Sequence, residues 1–167
     1  MDVTEFWALA RAHAGVGRVS VVTGETSTSA VAPPAWAFGA DAAQADRLLD
    51  LVLAGRKTAT ASAASDYAEA DEPLPAVGDL SILLDGAGEP RALIRTTRVQ
   101  VVPFAAVDAE HAAAEGEGEA TLASWRADHA HFFAASARAA GLASVEELPV
   151  VLERFRLLHP RPGAASA

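Results

Sequence analysis

Leu80-Ser81-Ile82-Leu83-Leu84, then Asp85-Gly86-Ala87-Gly88-Glu89, then the long run from Arg91 to Val102 read as strand, link and strand. A five-residue apolar run, a glycine-bearing link and a second segment rich in β-branched residues make a hairpin signature. Pro75-Ala76-Val77-Gly78-Asp79 is the turn that feeds it. Outward from this hairpin the period changes to helical. Towards the N-terminus, Asp41 is placed to cap a helix whose apolar face is Leu48, Leu49 and Val52, with Gln44 three residues on and Gly55 as its stop. Residues 3–14 carry Val3, Phe6, Trp7 and Ala10 at helical spacing. Towards the C-terminus, a helical turn over 104–114 precedes the acidic run Glu115-Gly116-Glu117-Gly118-Glu119. Thr121 then caps a helix with apolar positions Leu122, Trp125, Phe132 and Phe133, and Val150–Leu158 reads as a last strand. Helices interleaved with mostly antiparallel-looking strands imply an α+β fold, a small twisted sheet or barrel with helices against it.

The connecting segments carry less signal. Thr23–Pro34, rich in Ser, Thr, Pro and Ala, reads as a loop, 57–62 as extended, Asp66–Glu72 as an acidic loop, and 160–167 as a disordered tail. The chain, 167 residues long, shows no repeat and no shift in composition, so one domain is expected: an N-terminal helix and loop over 1–35, the body over 36–158, and the tail over 159–167.

Composition narrows the chemistry. There is no cysteine, which removes disulfides, thiolate metal sites, cysteine nucleophiles and the zinc-deaminase ligand set. No basic, apolar N-terminal leader and no run near ~18 apolar residues is present, so a cytoplasmic protein without a membrane partner is expected. The formal charge of −9, with scattered arginines, disfavours tracking of duplex DNA or long strands and favours a small ligand. Phe6 and Trp7 of the first helix can pack on their own core or on a second copy, which leaves a homodimer open.

Of 13 basic residues only Lys57 is a lysine. An arginine cannot give up its proton, whereas a desolvated lysine can, so Lys57 is the first candidate for chemistry. It sits in Gly55-Arg56-Lys57-Thr58-Ala59-Thr60, an amine and two hydroxyls within four positions. In an ideal strand Lys57 and Thr60 point to opposite faces, so they converge only if the chain bends. One glycine is too few for a phosphate-binding loop, and no Gly-x-Ser-x-Gly elbow is present. The glycines between Glu115, Glu117 and Glu119 allow close backbone approach, and crowded carboxylates have reason to titrate near neutrality or to hold a divalent cation. As an alternative, that run is a solvated loop favouring the next helix N-terminus. His129 lies one turn after Trp125, on the buried stripe, where a packed histidine is commoner than a ligand. His111 beside the acidic run is equally ambiguous, and the histidines show no metal spacing.

Taken together, Trp36…Phe38-Gly39, Gly-x-Lys-x-x-Thr at 55–60, Pro75…Gly78-Asp79, Arg95-Thr96-Thr97-Arg98-Val99, Val102-Pro103-Phe104, Glu115-Gly116-Glu117-Gly118 and Leu122-x-x-Trp125-Arg126-x-x-His129-x-x-Phe132-Phe133 resemble the ASCH (activating-signal cointegrator homology) domain, in its bacterial single-domain branch. The resemblance spans about Trp36 to Leu158. It implies a PUA-like fold, a small β-barrel of mostly antiparallel strands flanked by helices. It implies amidohydrolysis of an N4-acylated cytosine such as N4-acetylcytidine, with cleavage of single-stranded RNA or non-catalytic RNA or nucleotide binding as alternatives. The catalytic residues it implies are Lys57, Thr60 and Glu115, and no cofactor is expected unless a ribonuclease draws on a divalent cation. Tyr67, Arg56, Arg126, Glu117 and Trp36 are the expected substrate-binding residues, and the partner is a nucleoside-like molecule or a short single-stranded RNA. Glu119 stands where the family often has Asp.

Overall fold

The computed structural model describes residues 1–16 and 31–160. Helix α1 (Val3–Ala14) is opened by a capping box, Asp2 accepting from the Glu5 amide while Glu5 reaches back to the Asp2 amide. Strand β1 (Ala35–Trp36) is followed by α2 (Ala42–Leu53), β2 (Ala59–Ala63), a short helix α3 (Ala64–Glu69), β3 (Leu80–Leu84) and β4 (Pro90–Pro103). A 3-10 turn (Phe104–Ala106), α4 (Ala109–Glu115), α5 (Leu122–Ala139), a second 3-10 turn (Val145–Glu147) and β5 (Pro149–His159) complete the order. Among the described residues no helix is long and apolar enough to cross a membrane.

The hairpin read from the sequence is present: β3 pairs antiparallel with β4, Leu80 opposite Arg95 and Leu83 opposite Ala92, with a bulge at Leu83/Leu84. The link closes through the Asp85 amide on the Glu89 carbonyl at 2.9 Å. Among the described residues the expected barrel is not formed: five strands make one open mixed sheet in the order β1-β3-β4-β5-β2, with β1 parallel to β3. Its ends are the two-residue β1 and the five-residue β2, which do not pair with each other. The acidic stretch after β2 also departs from expectation: residues 64–69 form α3 instead of a loop. The loop expected at Thr23–Pro34 falls mostly outside the described residues, as does the tail beyond Pro160.

The chain gathers into two compact units. Of the described residues, the first holds 1–16, 31–55, 80–95 and 156–160. In it Phe6, Trp7 and Ala10 of α1 bury against Ile82 of β3 and Leu93 of β4, so both large rings of α1 are taken up within the chain. Asp41 caps α2 through the Gln44 amide, and the Gln44 side chain accepts from Ala40 rather than from the cap itself.

The second unit holds residues 56–79 and 96–155. Ala61 and Ala63 on one face of β2, with Val150 and Leu152 of β5, pack on Phe104, Trp125, Phe133 and Leu148. Thr121 caps α5 by accepting from the Ser124 amide. Of the four apolar positions expected on α5, Trp125 and Phe133 are buried and Leu122 packs at the edge, but Phe132 is 62% exposed. Adjacent positions on a helix are ~100° apart, so Phe132 and Phe133 cannot both face one core.

Candidate functional site

Lys57 is among the largest fully buried side chains of the described residues, 1% exposed. Backbone contacts put it there. The Thr58 amide donates to the Ala114 carbonyl at 2.7 Å, and the Thr58 hydroxyl reaches the same oxygen at 3.3 Å, so the last turn of α4 is pinned to the start of the Lys57 segment. Gly116 ends α4 at φ +64°, and a Cβ there would overlap the Arg56 carbonyl oxygen. Only glycine meets both conditions.

A buried ammonium needs opposite charge, and the acidic run supplies it. Lys57 Nζ donates to Glu115 Oε2 at 3.3 Å and to Glu117 Oε1. Glu115 is itself 1% exposed, whereas the Glu117 side chain is 27% exposed. Glu115 Oε1 meets His111 Nε2 at 2.9 Å, one turn back on α4, and its Oε2 meets His129 Nε2 at 3.3 Å. Burial pushes the Glu115 carboxyl up, but hydrogen bonds from His111 and His129 and the Lys57 charge outweigh it. They hold the carboxyl well below the usual carboxylate range.

His129 is fixed from both sides. Its ring stacks on Trp125 at 4.1 Å and 15°, and Trp125 stacks in turn on Phe104 at 5.3 Å. His129 Nδ1 lies 3.0 Å from the Trp125 carbonyl oxygen, an acceptor only, so Nδ1 carries a proton. Its contact with Glu115 is then a hydrogen bond when a further proton lies between Nε2 and Oε2. A cavity of about 250 Å³ adjoins this cluster, with His111, Arg98, Gln100 and Arg154 in its wall.

The structure brings Lys57, Glu115 and Glu117 together. Thr60 takes a different place: it sits in the β2–β5 ladder opposite Glu153, and strand alternation puts it on the face of Ser62, away from Ala61 and Ala63. Tyr67 of α3 shares a hydrogen bond with Ser62 at 2.9 Å, and its phenol is pushed up, mainly by burial. Arg126 is spent on the 3-10 turn, donating to the Ala105 and Val107 carbonyls at 2.8 and 3.3 Å. Arg56 has an exposed side chain beside Lys57. Trp36 belongs to the other unit, its ring edge-on to Phe38 at 4.8 Å.

Three residues of this unit stood outside the expected site. His111 was legible, because four positions separate it from Glu115 on a helix. His129 was legible only as core. Glu153 carried no signal, since its partners come from strand register. Among the described residues no three His, Cys, Asp or Glu side chains are grouped to hold a metal ion, and the cation facing the two glutamates is the Lys57 ammonium.

Comparison with known proteins agrees with the motifs. No curated protein matches the sequence. A crystal structure of an ASCH domain from Lactobacillus crispatus JV V101 is similar at 28% identity with a TM-score of 0.74, covering 92% of this chain and 94% of that one. The protein EF3133 of Enterococcus faecalis V583 is similar at 31% identity with a TM-score of 0.72, covering 93% and 90%. The ASCH domain model matches residues 34–159, most of the described chain, and the chain belongs to the ASCH-domain family.

Proposed function

We propose that the protein is a hydrolase that removes the acyl group from an N4-acylated cytosine nucleoside. The observation that carries this reading is the buried Lys57, held between Glu115 and Glu117 with two histidines behind Glu115. An ammonium kept in place by carboxylates is a preorganised partner for an oxyanion, and it needs no reorganisation when charge develops. In the proposed reaction water attacks the acyl carbonyl carbon and the carbonyl electron pair moves onto oxygen beside Lys57. Glu117, the carboxylate with solvent access, accepts the proton of that water. As the oxyanion collapses the C–N bond breaks, and the proton passes from Glu117 to N4. The products are cytidine and a carboxylic acid.

Glu115 has both oxygens engaged and is sealed from solvent, so it acts as the anion that fixes Lys57 and the histidines. The proton transfer therefore falls to Glu117 rather than to Glu115, which the family resemblance implied as a catalytic residue. Thr60, on the Ser62 face of β2, is left as a ligand contact rather than a nucleophile. Grouped carboxylates are unfavourable neighbours for phosphate, and together with the net charge of −9 this weighs against RNA cleavage.

The test is incubation of the purified protein with N4-acetylcytidine and chromatography for cytidine, with Lys57→Ala and an EDTA-treated sample alongside. Release of cytidine that survives EDTA and falls by about 10²-fold or more in the variant is expected. No release, or equal release by both proteins, overturns the reading. Single-stranded RNA with and without divalent cations then separates a ribonuclease from a non-catalytic binder.

A further inference from the structure

The face of β2 that carries Thr60 holds a second polar group that the Lys57 cluster does not use. Glu153 of β5 stands directly across the ladder from Thr60, and Ser62 pairs with Val151 one pleat further on. Thr96 of β4 donates its hydroxyl to Glu153 Oε2 at 3.2 Å, and Tyr67 reaches in from α3 to Ser62. Glu153 takes part in no ion pair among the described residues, and its Oε1 is neither hydrogen-bonded there nor sealed from solvent. One carboxyl oxygen is thus tied down and the other faces outward.

The titratable groups facing Glu153 are Asp79, from the turn ahead of β3, and Tyr67. The Asp79 carboxylate is committed to the Ala76 amide at 2.8 Å, and its backbone carbonyl accepts from Thr96. Neither group supplies a cation. This is the reverse of the Glu115 environment: Glu153 has a desolvated carboxyl, one neutral donor and a nearby negative charge.

We infer that Glu153 reads the base of the ligand, its carboxyl pairing edge-on with the ring nitrogen and the adjacent N–H of a cytosine-type edge. With Oε2 accepting from Thr96, the outward Oε1 is the oxygen that carries the proton when the group is neutral. A neutral carboxyl offers one donor and one acceptor side by side, the complement of an acceptor ring nitrogen beside an N–H. Acylation at N4 leaves that N–H in place. A guanine edge, with two adjacent donors, calls for the ionised carboxylate instead. Burial, the largest influence, and Asp79 both push the Glu153 carboxyl up against the opposing Thr96 bond, which extends the range of the neutral form.

This assignment rests on the proposed function only for the choice of probe. The experiment is therefore equilibrium binding of cytidine, with no turnover involved, followed by quenching of tryptophan fluorescence or by calorimetry between pH 5 and pH 8.5. Cytidine is expected to bind the wild-type protein most tightly at the acid end of this range and to weaken about tenfold or more as the pH rises, with guanosine binding more weakly than cytidine at the acid end. Glu153→Gln, whose amide offers the same donor and acceptor, is expected to retain cytidine within about threefold and to lose the pH dependence. Glu153→Ala, checked for a native circular dichroism spectrum, is expected to bind about tenfold or more weakly than Glu153→Gln. Absence of cytidine binding, equal binding of guanosine at the acid end of the range, or an unchanged pH dependence in Glu153→Gln overturns the assignment. Hydrolysis of N4-acetylcytidine with any of those results would leave the hydrolase reading standing and remove Glu153 from it. Cytidine binding of the expected form without hydrolysis would do the opposite.

Discussion

Glu115 and Glu153 lie in the same unit, both withdrawn from water, and their surroundings drive them apart. Glu115 has a donor on each side and the Lys57 ammonium in front, so its carboxyl is held far down. Glu153 has the Thr96 hydroxyl and the Asp79 charge, and its carboxyl is pushed up. Desolvation acts in the same direction on both, and the count of cations and donors decides the outcome. Two carboxyls whose environments separate them in this way can divide the work of a site. One is a fixed anion that orients a cation, and the other is a neutral group that donates to a ligand.

The largest test of this contrast is removal of the charge on which Glu115 depends. Lys57→Met strands a buried carboxylate and is expected to cost about 3–5 kcal/mol in denaturant unfolding. Adding Glu115→Gln should recover a substantial part of that loss, because the double variant no longer buries an unpaired charge. A double variant as unstable as the single one would show that Lys57 contributes through packing instead. Next in size is Gly116→Ala. It forces a left-handed residue onto a side chain and drives a Cβ into the Arg56 carbonyl, and it should destabilise by about 2 kcal/mol, read in the same way. Since that junction seats Lys57 beside Glu115, the variant is also expected to lose hydrolysis of N4-acetylcytidine while retaining cytidine binding.

How much of this contrast the chain announced differs between its halves. Gly55–Thr60 and Glu115–Glu119 were legible because lysine is otherwise missing and because glycine between glutamates demands a reason. Their meeting depends on the Thr58–Ala114 bond, which joins two segments more than fifty positions apart and leaves no local trace. The β3–β4 hairpin and the Thr121 cap were legible because turn and cap chemistry is local. The closed barrel was not, since whether β1 and β2 meet depends on strands too short to signal register. Asp66–Glu72 looks like a loop by composition, yet its first four residues fold into the helix over 64–69, which brings Tyr67 to Ser62. Glu153 was invisible for a related reason: a glutamate in a strand ordinarily faces water, and only the ladder shows that it faces Thr60 and Thr96.

Stability against pH separates the two carboxyls without any ligand. Glu115 is depressed in the folded protein, so its contribution is present above the unfolded value and is lost as pH falls through the folded one. Acidification below about pH 4.5, the ordinary glutamate value, should therefore destabilise the wild type, and Glu115→Gln should flatten that part of the profile. Glu153 is raised, so the folded state binds its proton more tightly than the unfolded chain does. Its contribution is present below the ordinary value and is lost as pH rises through the raised one. Glu153→Gln should then remove a decline on the alkaline side while leaving the acid limb unchanged. Chemical denaturation of the three proteins from pH 3 to pH 8 gives both slopes, and profiles that shift in parallel would break the contrast.

The smallest effect is the most direct test of the Glu153 side. Thr96 is 4% exposed and, among the described residues, donates the one side-chain hydrogen bond that Glu153 accepts, so Thr96→Val changes a hydroxyl for a methyl at nearly constant volume. The loss of one neutral hydrogen bond should cost about 1 kcal/mol in denaturant unfolding. The sharper consequence is electrostatic. The Thr96 bond favours the ionised carboxyl and is what moderates the upward push, so without it Glu153 should hold its proton to higher pH. Cytidine binding in Thr96→Val is therefore expected to persist further into the alkaline range than in the wild type, despite the lower stability. A midpoint that instead moves to lower pH would mean that Thr96 accepts a hydrogen bond from the neutral carboxyl rather than donating to it. The outward oxygen would then be the acceptor, and the polarity of the edge that Glu153 reads would be reversed.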